Sequence, residues 1–381
     1  MSVRKQYIFI GLLALSLAVL LGLYLAPYSF NPSSLFHMDE RVAKESPLPS
    51  PFVVLTVPAY DGAMYFRVAE YIPSLFIPET WSTLRSYAPQ AYSYQRFLLP
   101  LFATVLSLGH DAFLPWTFLL INVLSLFLTG FFVFRSTNKF LPALAFALSP
   151  SATLGLHFST AEPLNLLLLA LLLFRFDRRS SLDWIDAFLL SLCVLTREVN
   201  IILSGALLLW LLINRRYRDT SLVVPSIIVF ILWQAFLFVV FGNVPFFVNG
   251  SHATVPFIAP LQILFGHTGF TKYSLSSIAL FLFFVVPSTV FVLAVLLRDR
   301  QRIRLLPFLL LAYLGVMWAM PLHIWGSITS IGRAITPVYP LAIVVFAYRK
   351  GIARFIPHAI LLIGYGAGLG IAMIYHPFTV W

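Results

Sequence analysis

Long apolar runs separated by short loops dominate this sequence and limit what it can fold into. Of its 381 residues, 60% are hydrophobic and 10% are charged, whereas a soluble domain has roughly 25% charged residues. With so few charged residues, a protein of this size could not keep its apolar surface away from water. The apolar surface must therefore face lipid. The sequence predicts an all-α polytopic membrane protein with apolar runs at 7–26, 113–134, 140–156, 163–174, 184–196, 199–213, 221–241, 275–297, 305–320, 334–347 and 355–375.

The positions of Lys and Arg set the number of spans. Cytoplasmic loops carry an excess of basic residues. If the short run 96–109 does not cross the bilayer, 17 of the 25 Lys and Arg residues fall on the side of the N-terminus. If it does cross, every later basic cluster moves to the opposite side. We therefore predict about eleven transmembrane helices, a cytoplasmic N-terminus, and 96–109 as a helix on the outer membrane surface.

Charge and cysteine content disfavour other classes of protein. The net charge is +11, but the basic residues form short clusters between apolar runs rather than a stripe with interleaved aromatics, so nucleic acid is not an expected partner. The single Cys193 lies within an apolar run. No disulfide or thiolate metal site is therefore available within the chain.

We expect two modules. Residues 1–215 hold the first span, an outer loop over 27–112 with interface helices, and spans two to six. Residues 216–381 hold the remaining spans and a second long outer loop over 242–273. Long loops in a compact helical protein are usually functional or disordered. Since both long loops lie on the outer side, we expect function on that face.

The pair Asp61-Gly62 is the most informative motif in the first outer loop. Gly62 allows the chain to turn, and residues 63–71 have the composition of a short helix that ends before Pro73. A carboxylate at its start would meet the positive end of the helix dipole. The alternative is that Asp61 only caps the helix.

Further polar residues interrupt the apolar pattern at predicted outer ends. Arg96 could anchor its helix at the membrane surface or bind a ligand. Glu162 could begin a helix before Pro163 or act in a site. Arg197 could grip a phosphate or pair with Glu198 or Glu162. The remaining candidates, in the first and last outer loops, are Tyr65, His323 and Arg333.

These motifs together resemble the GT-C superfamily of polytopic glycosyltransferases over residues 1 to about 215. The motifs are Asp61-Gly62 with a following tyrosine, the segment around Arg96 that leads to Pro100, Glu162-Pro163 and Thr196-Arg197-Glu198. The resemblance is closest to bacterial members that build cell-surface glycopolymers, and more distant to GPI mannosyltransferases. It implies an acidic base in the first outer loop, two juxtamembrane helices and a polyprenyl-phosphate sugar donor.

The resemblance assigns a role to each candidate. Asp61 matches the catalytic base, and Arg197, Arg333, Arg96, Glu162, Glu198, Tyr65 and His323 are candidates for binding substrate or the donor phosphate. Many members have two adjacent acidic residues where this chain has Asp61 alone, so metal-independent inversion without a cofactor is expected. The acceptor would be a glycan, lipid or protein, and the location a bacterial inner membrane with an extracytoplasmic site.

Two other functions remain open from the sequence. A transporter or flippase of lipid-linked glycans would usually have inverted repeats and helices broken at midplane, whereas the polar residues here cluster at one face. A non-catalytic assembly protein with the same fold is the second alternative, because a fold does not determine activity.

Overall fold

A computed structural model of the chain describes residues 3–45, 47–56, 59–87, 91–179, 181–245, 258–264, 281–298, 304–320, 336–346 and 360. These residues are mostly helical. We name the α-helices α1 to α16 in chain order: Val3–Leu25, Glu40–Ala43, Asp61–Leu75, Trp81–Tyr87, Leu98–Leu106, Leu114–Thr137, Phe140–Ala147, Pro150–His157, Glu162–Arg178, Trp184–Thr196, Ile201–Ile213, Tyr217–Phe241, Ile258–Leu264, Val286–Arg298, Leu305–Trp318 and Val338–Phe346. Two parallel two-residue strands, Met38–Asp39 and Val54–Leu55, pair in the first loop.

Four helical segments of the described chain are long and apolar enough to cross a membrane. They are Val3–Tyr28, Asp111–Thr137, Phe140–His157 and Tyr217–Phe241, and shorter apolar helices cover Trp184–Thr196, Glu198–Ile213 and Leu305–Trp318. The predicted all-α membrane character agrees with these segments. The total of eleven spans stays a prediction, and the run 355–375 lies almost entirely outside the described residues.

The predicted run 140–156 contains two helices rather than one. Helix α7 ends at Ala147, and Ser149 is extended, with φ −61° and ψ 162°, before α8 begins at Pro150. Proline lacks an N–H group and disfavours helical geometry in the residue before it. Pro150 therefore explains the break between α7 and α8. The hydropathy pattern did not predict this break.

Helix α5 is too short to cross a bilayer. Its nine residues extend about 14 Å, against a hydrocarbon core of roughly 30 Å. This agrees with the prediction that 96–109 does not span, and its place on the membrane surface stays a prediction. Helix α5 packs instead against α3 and α6.

Charged side chains lie at the two opposite ends of neighbouring helices. At one end, Arg175 of α9 contacts Asp183 and Asp186 at the start of α10. At the other end, Arg197 follows α10 and contacts Glu162 at the start of α9. The two helices are therefore antiparallel, and the end with Glu162 is the one that the charge pattern predicts to be outside.

Candidate functional site

Helix α3 places Asp61 in its first turn. The helix begins at Asp61 after the extended residue Tyr60, which occupies the capping position without a side-chain hydrogen bond. Asp61 is therefore the first helical residue rather than the capping residue. Its side chain is 45% exposed, so it can meet a substrate.

The predicted end of this helix before Pro73 is wrong, because α3 continues through Pro73 to Leu75. Proline cannot donate the backbone hydrogen bond that the carbonyl four residues earlier, at Ala69, would accept. The Thr104 hydroxyl of α5 donates to the Ala69 carbonyl over 2.9 Å. A side chain from a neighbouring helix thus supplies the missing donor.

Gly62 allows the start of α3 to approach the turn between α8 and α9. A Cβ at position 62 would lie 2.2 Å from the Phe158 carbonyl oxygen and 3.0 Å from that of Phe36. The Tyr60 ring stacks on Phe158 with 4.1 Å between ring centroids. Close backbone contact, rather than a turn with positive φ, is the reason for glycine here.

We expect Gly62→Ala to lower the free energy of unfolding by about 1–3 kcal/mol, as overpacking against backbone does. Chemical denaturation of the protein in detergent would measure the loss. Gly205→Ala in α11 is the matched control, because a Cβ there meets nothing within 4 Å. Equal stability of the two variants would contradict the close approach at Gly62.

Arg96 joins Asp61 to the turn between α10 and α11. Its Nη1 lies 3.2 Å from Asp61 Oδ2, while Nε and Nη2 lie 3.0 and 2.8 Å from the two carboxylate oxygens of Glu198. Nη2 also donates to the Tyr92 hydroxyl over 2.5 Å. Only 6% of Arg96 is exposed. Arg96 is therefore a buried ion-pair residue and not a surface anchor.

The charges around Arg96 keep Glu198 ionised and leave Tyr92 neutral. Burial acts to raise the pKa of Glu198, but the neighbouring Arg96 and Arg197 guanidinium groups overcome it and hold this pKa well below its usual range. Burial raises the pKa of Tyr92 above its usual range, so its phenol stays neutral. The buried Tyr65 lies within electrostatic range of Arg96.

Arg197 and Glu162 bind each other. Arg197 Nη1 lies 2.6 Å from Glu162 Oε1 and 3.1 Å from the Thr336 hydroxyl. Arg197 is 3% exposed and Glu162 is fully buried. The local pair that the sequence analysis gave as the alternative for Arg197 is therefore present. Next to it, Asn200 donates to Asn165 over 2.7 Å.

Arg333 and His323 lie outside the described residues. In the described part of the chain, no group of three or more His, Cys, Asp and Glu side chains is arranged to hold a metal ion. The metal-independent reaction therefore stays a prediction.

Two buried polar groups of the described residues were not predicted from the sequence. Arg67 of α3 is fully buried, contacts Glu70 at 2.6 Å and donates to the Val42 carbonyl over 2.8 Å. Arg67 and Glu70 are three residues apart in a predicted helix, and this spacing could have predicted their ion pair. The rings of His37 and His157 lie 4.7 Å apart, and no sequence pattern connects them.

Comparison with known proteins gives no relative: no family model, no curated protein and no solved structure matches this chain. The resemblance to GT-C glycosyltransferases therefore stays a prediction that depends on the quoted motifs.

Proposed function

We propose that this chain is a membrane glycosyltransferase with Asp61 as its general base. It would move a sugar from a polyprenyl-phosphate donor to an acceptor hydroxyl, with inversion at the anomeric carbon. The observation that carries the proposal is the accessible Asp61 carboxylate, held 3.2 Å from a buried guanidinium in the loop that contains the base in the GT-C superfamily.

The proposed reaction needs one proton acceptor and one stabilised leaving group. Asp61 takes the proton of the acceptor hydroxyl as its oxygen bonds to the anomeric carbon, and the bond from that carbon to the phosphate oxygen breaks. A carboxylate accepts a proton in its ionised form, and the Asp61 carboxylate forms an ion pair with the Arg96 guanidinium at 3.2 Å. The phosphate leaves as an anion, so no general acid is required.

The contacts divide the arginines between two roles. Arg197 is nearly inaccessible and neutralised by Glu162, which favours a structural role. Arg96 is also buried and bound by Glu198, but it differs from Arg197 in its 3.2 Å contact with the accessible Asp61. That contact places Arg96 beside the proposed reaction centre, where a preorganised cation stabilises a leaving group. Arg333, three residues before Thr336 in the sequence, is the further candidate.

Binding of the donor phosphate would require a further cation, because the charged groups around Asp61 already sum to a negative charge. Around Asp61, the ion-paired groups of the described residues are three carboxylates, including Glu162 and Glu198, and two guanidinium groups. A phosphate would add negative charge to a group that is already net negative. We therefore assign donor binding in part to the last outer loop, where Arg333 and His323 stand in the sequence.

We further propose that this site faces the extracytoplasmic side of a bacterial inner membrane. The support is the distribution of charge: Glu162 and Arg197 lie at the helix ends opposite Arg175 and Arg179, which belong to a basic cluster. The remaining partners would be membrane lipids and a glycan, lipid or protein that supplies the acceptor hydroxyl.

A transfer assay tests the proposal. The purified protein, reconstituted in vesicles, would be given polyprenyl-phosphate sugars together with candidate hydroxyl acceptors. We expect release of polyprenyl phosphate and a product of inverted anomeric configuration. Mass spectrometry of the purified protein should also detect a bound polyprenyl-phosphate lipid.

The same assay separates the alternatives. Movement of an intact lipid-linked glycan across the vesicle membrane, without cleavage of the phosphate bond, would identify a flippase and contradict the proposal. Binding of the lipid with neither cleavage nor movement, for every donor and acceptor offered, would identify a non-catalytic protein. Neither outcome is expected if Asp61 acts as a base.

A further inference from the structure

The second half of helix α12 contains one buried polar side chain, Gln234, in an otherwise apolar stretch. Between Ser226 and Gly242, Gln234 is the only polar residue apart from the indole of Trp233. Only 7% of Gln234 is exposed. Polar side chains in such a helix are costly to bury unless they meet a partner, so Gln234 is expected to have one.

The partners of Trp233 and Gln234 are the two residues that immediately precede Arg96. Trp233 Nε1 donates to the Tyr94 carbonyl over 3.1 Å, and Gln234 Nε2 donates to the Gln95 side-chain oxygen over 3.2 Å. Two consecutive residues of α12 thus hold two consecutive residues of the outer loop.

Other contacts attach the same loop to the same end of α12. Arg85 of α4 donates from Nε to the Val240 carbonyl over 2.6 Å and from Nη2 to the Val239 carbonyl over 3.1 Å. The Phe97 and Trp233 rings lie 4.4 Å apart. Arg85 caps carbonyl groups at the end of α12 that no helical N–H group can reach.

We infer that Trp233 and Gln234 are positioning residues for Arg96. The inference rests on the proposed function in assigning Arg96 a place beside the base. The Arg96 guanidinium connects α3, through Asp61, to the α10–α11 turn, through Glu198. It can reach both only if its own backbone is held, and α12 holds the residues directly before it.

A thiol placed at position 61 would report the position of Arg96 without any need for activity. A cysteine thiol beside a guanidinium has a lowered pKa and reacts faster with maleimide at neutral pH, since the thiolate is the nucleophile. The single native cysteine, Cys193, is buried. We would use the full chain with Cys193→Ala and Asp61→Cys, reconstituted in vesicles and labelled with a polar maleimide dye at pH 7.

We expect Gln234→Leu in this background to slow labelling about fivefold, as Arg96→Gln should, because both remove the guanidinium from the thiol. Leu232→Ala is the matched control: it lies on the same helix, but its side chain is 63% exposed, and the labelling rate should not change. If Gln234→Leu does not fold, Trp233→Phe keeps an aromatic ring but removes the indole N–H donor, and it should slow labelling too.

Labelling at the parent rate in folded Gln234→Leu and Trp233→Phe would overturn the inference. So would an unchanged rate in Arg96→Gln. If the wild-type protein transfers sugar, Gln234→Leu should also lower kcat several-fold with little change in donor KM. If it transfers none, the proposed function fails and the labelling result still decides the positioning role.

Discussion

Replacement of Asp61 by Asn should abolish sugar transfer while the protein remains folded and inserted in the membrane. An amide has nearly the same shape as the carboxylate but cannot accept the proton of the acceptor hydroxyl. Loss of a general base typically lowers the rate by about 10²–10⁴-fold. Its replacement leaves no buried charge without a partner, because the buried Arg96 keeps its ion pair with Glu198 at 2.8 Å. The rate of polyprenyl phosphate release by reconstituted protein is the measurement.

Glu40→Gln is the matched control for this prediction. Glu40 is an acidic residue of the same loop between α1 and α6, but its side chain is 76% exposed and its partner is the exposed Lys44. This variant should keep the wild-type rate. If Asp61→Asn retained that rate as well, the assignment of the base to Asp61 would have to be abandoned.

Arg197→Ala should destabilise the protein severely, by about 3–5 kcal/mol. Removing one member of a buried ion pair leaves the other charge buried without compensation, and Glu162 is fully buried. The loss would appear in the free energy of unfolding in detergent. Arg179→Ala provides the comparison: Arg179 is also paired, with Asp183, but its side chain is 48% exposed. Its loss should cost about 0–1 kcal/mol.

The double variant Arg197→Met with Glu162→Leu separates structure from donor binding. Replacing both members of a buried pair by apolar residues of similar size is often neutral or stabilising. We therefore expect the double variant to recover stability. If Arg197→Ala kept full stability but lost affinity for the lipid-linked donor, Arg197 would return as a donor-binding residue.

Local features of the molecule were predictable because their causes are local. Helix α10 covers Trp184–Thr196, the same residues as the apolar run, since Asp183 caps one end and polar residues follow the other. The helix after Tyr60 begins at Asp61, where the sequence suggested a start. Helix α5 has nine residues, which agrees with the prediction from the basic residues that 96–109 does not span.

The sequence did not predict the end of a helix where a residue distant in the chain supplies a hydrogen bond to it. Pro73 indicated the end of α3, yet the hydroxyl of Thr104, which is 35 residues from Ala69, supplies the donor that proline lacks. The break before Pro150 has a local cause, because proline disfavours helical geometry in the preceding residue. Hydropathy alone did not reveal this break, since the residues on both sides of it are apolar.

Taken by itself, the sequence determined the helical membrane character and the set of polar residues that are candidates for a site. These follow from hydropathy and charge, which depend on residue type and order alone. Only the tertiary structure decided which charges pair. Glu198 lies 102 residues from Arg96, and Glu162 lies 35 residues from Arg197. The packing of the helices brings each glutamate next to its arginine. A residue's partner therefore depends on which distant side chain the fold places within hydrogen-bond distance.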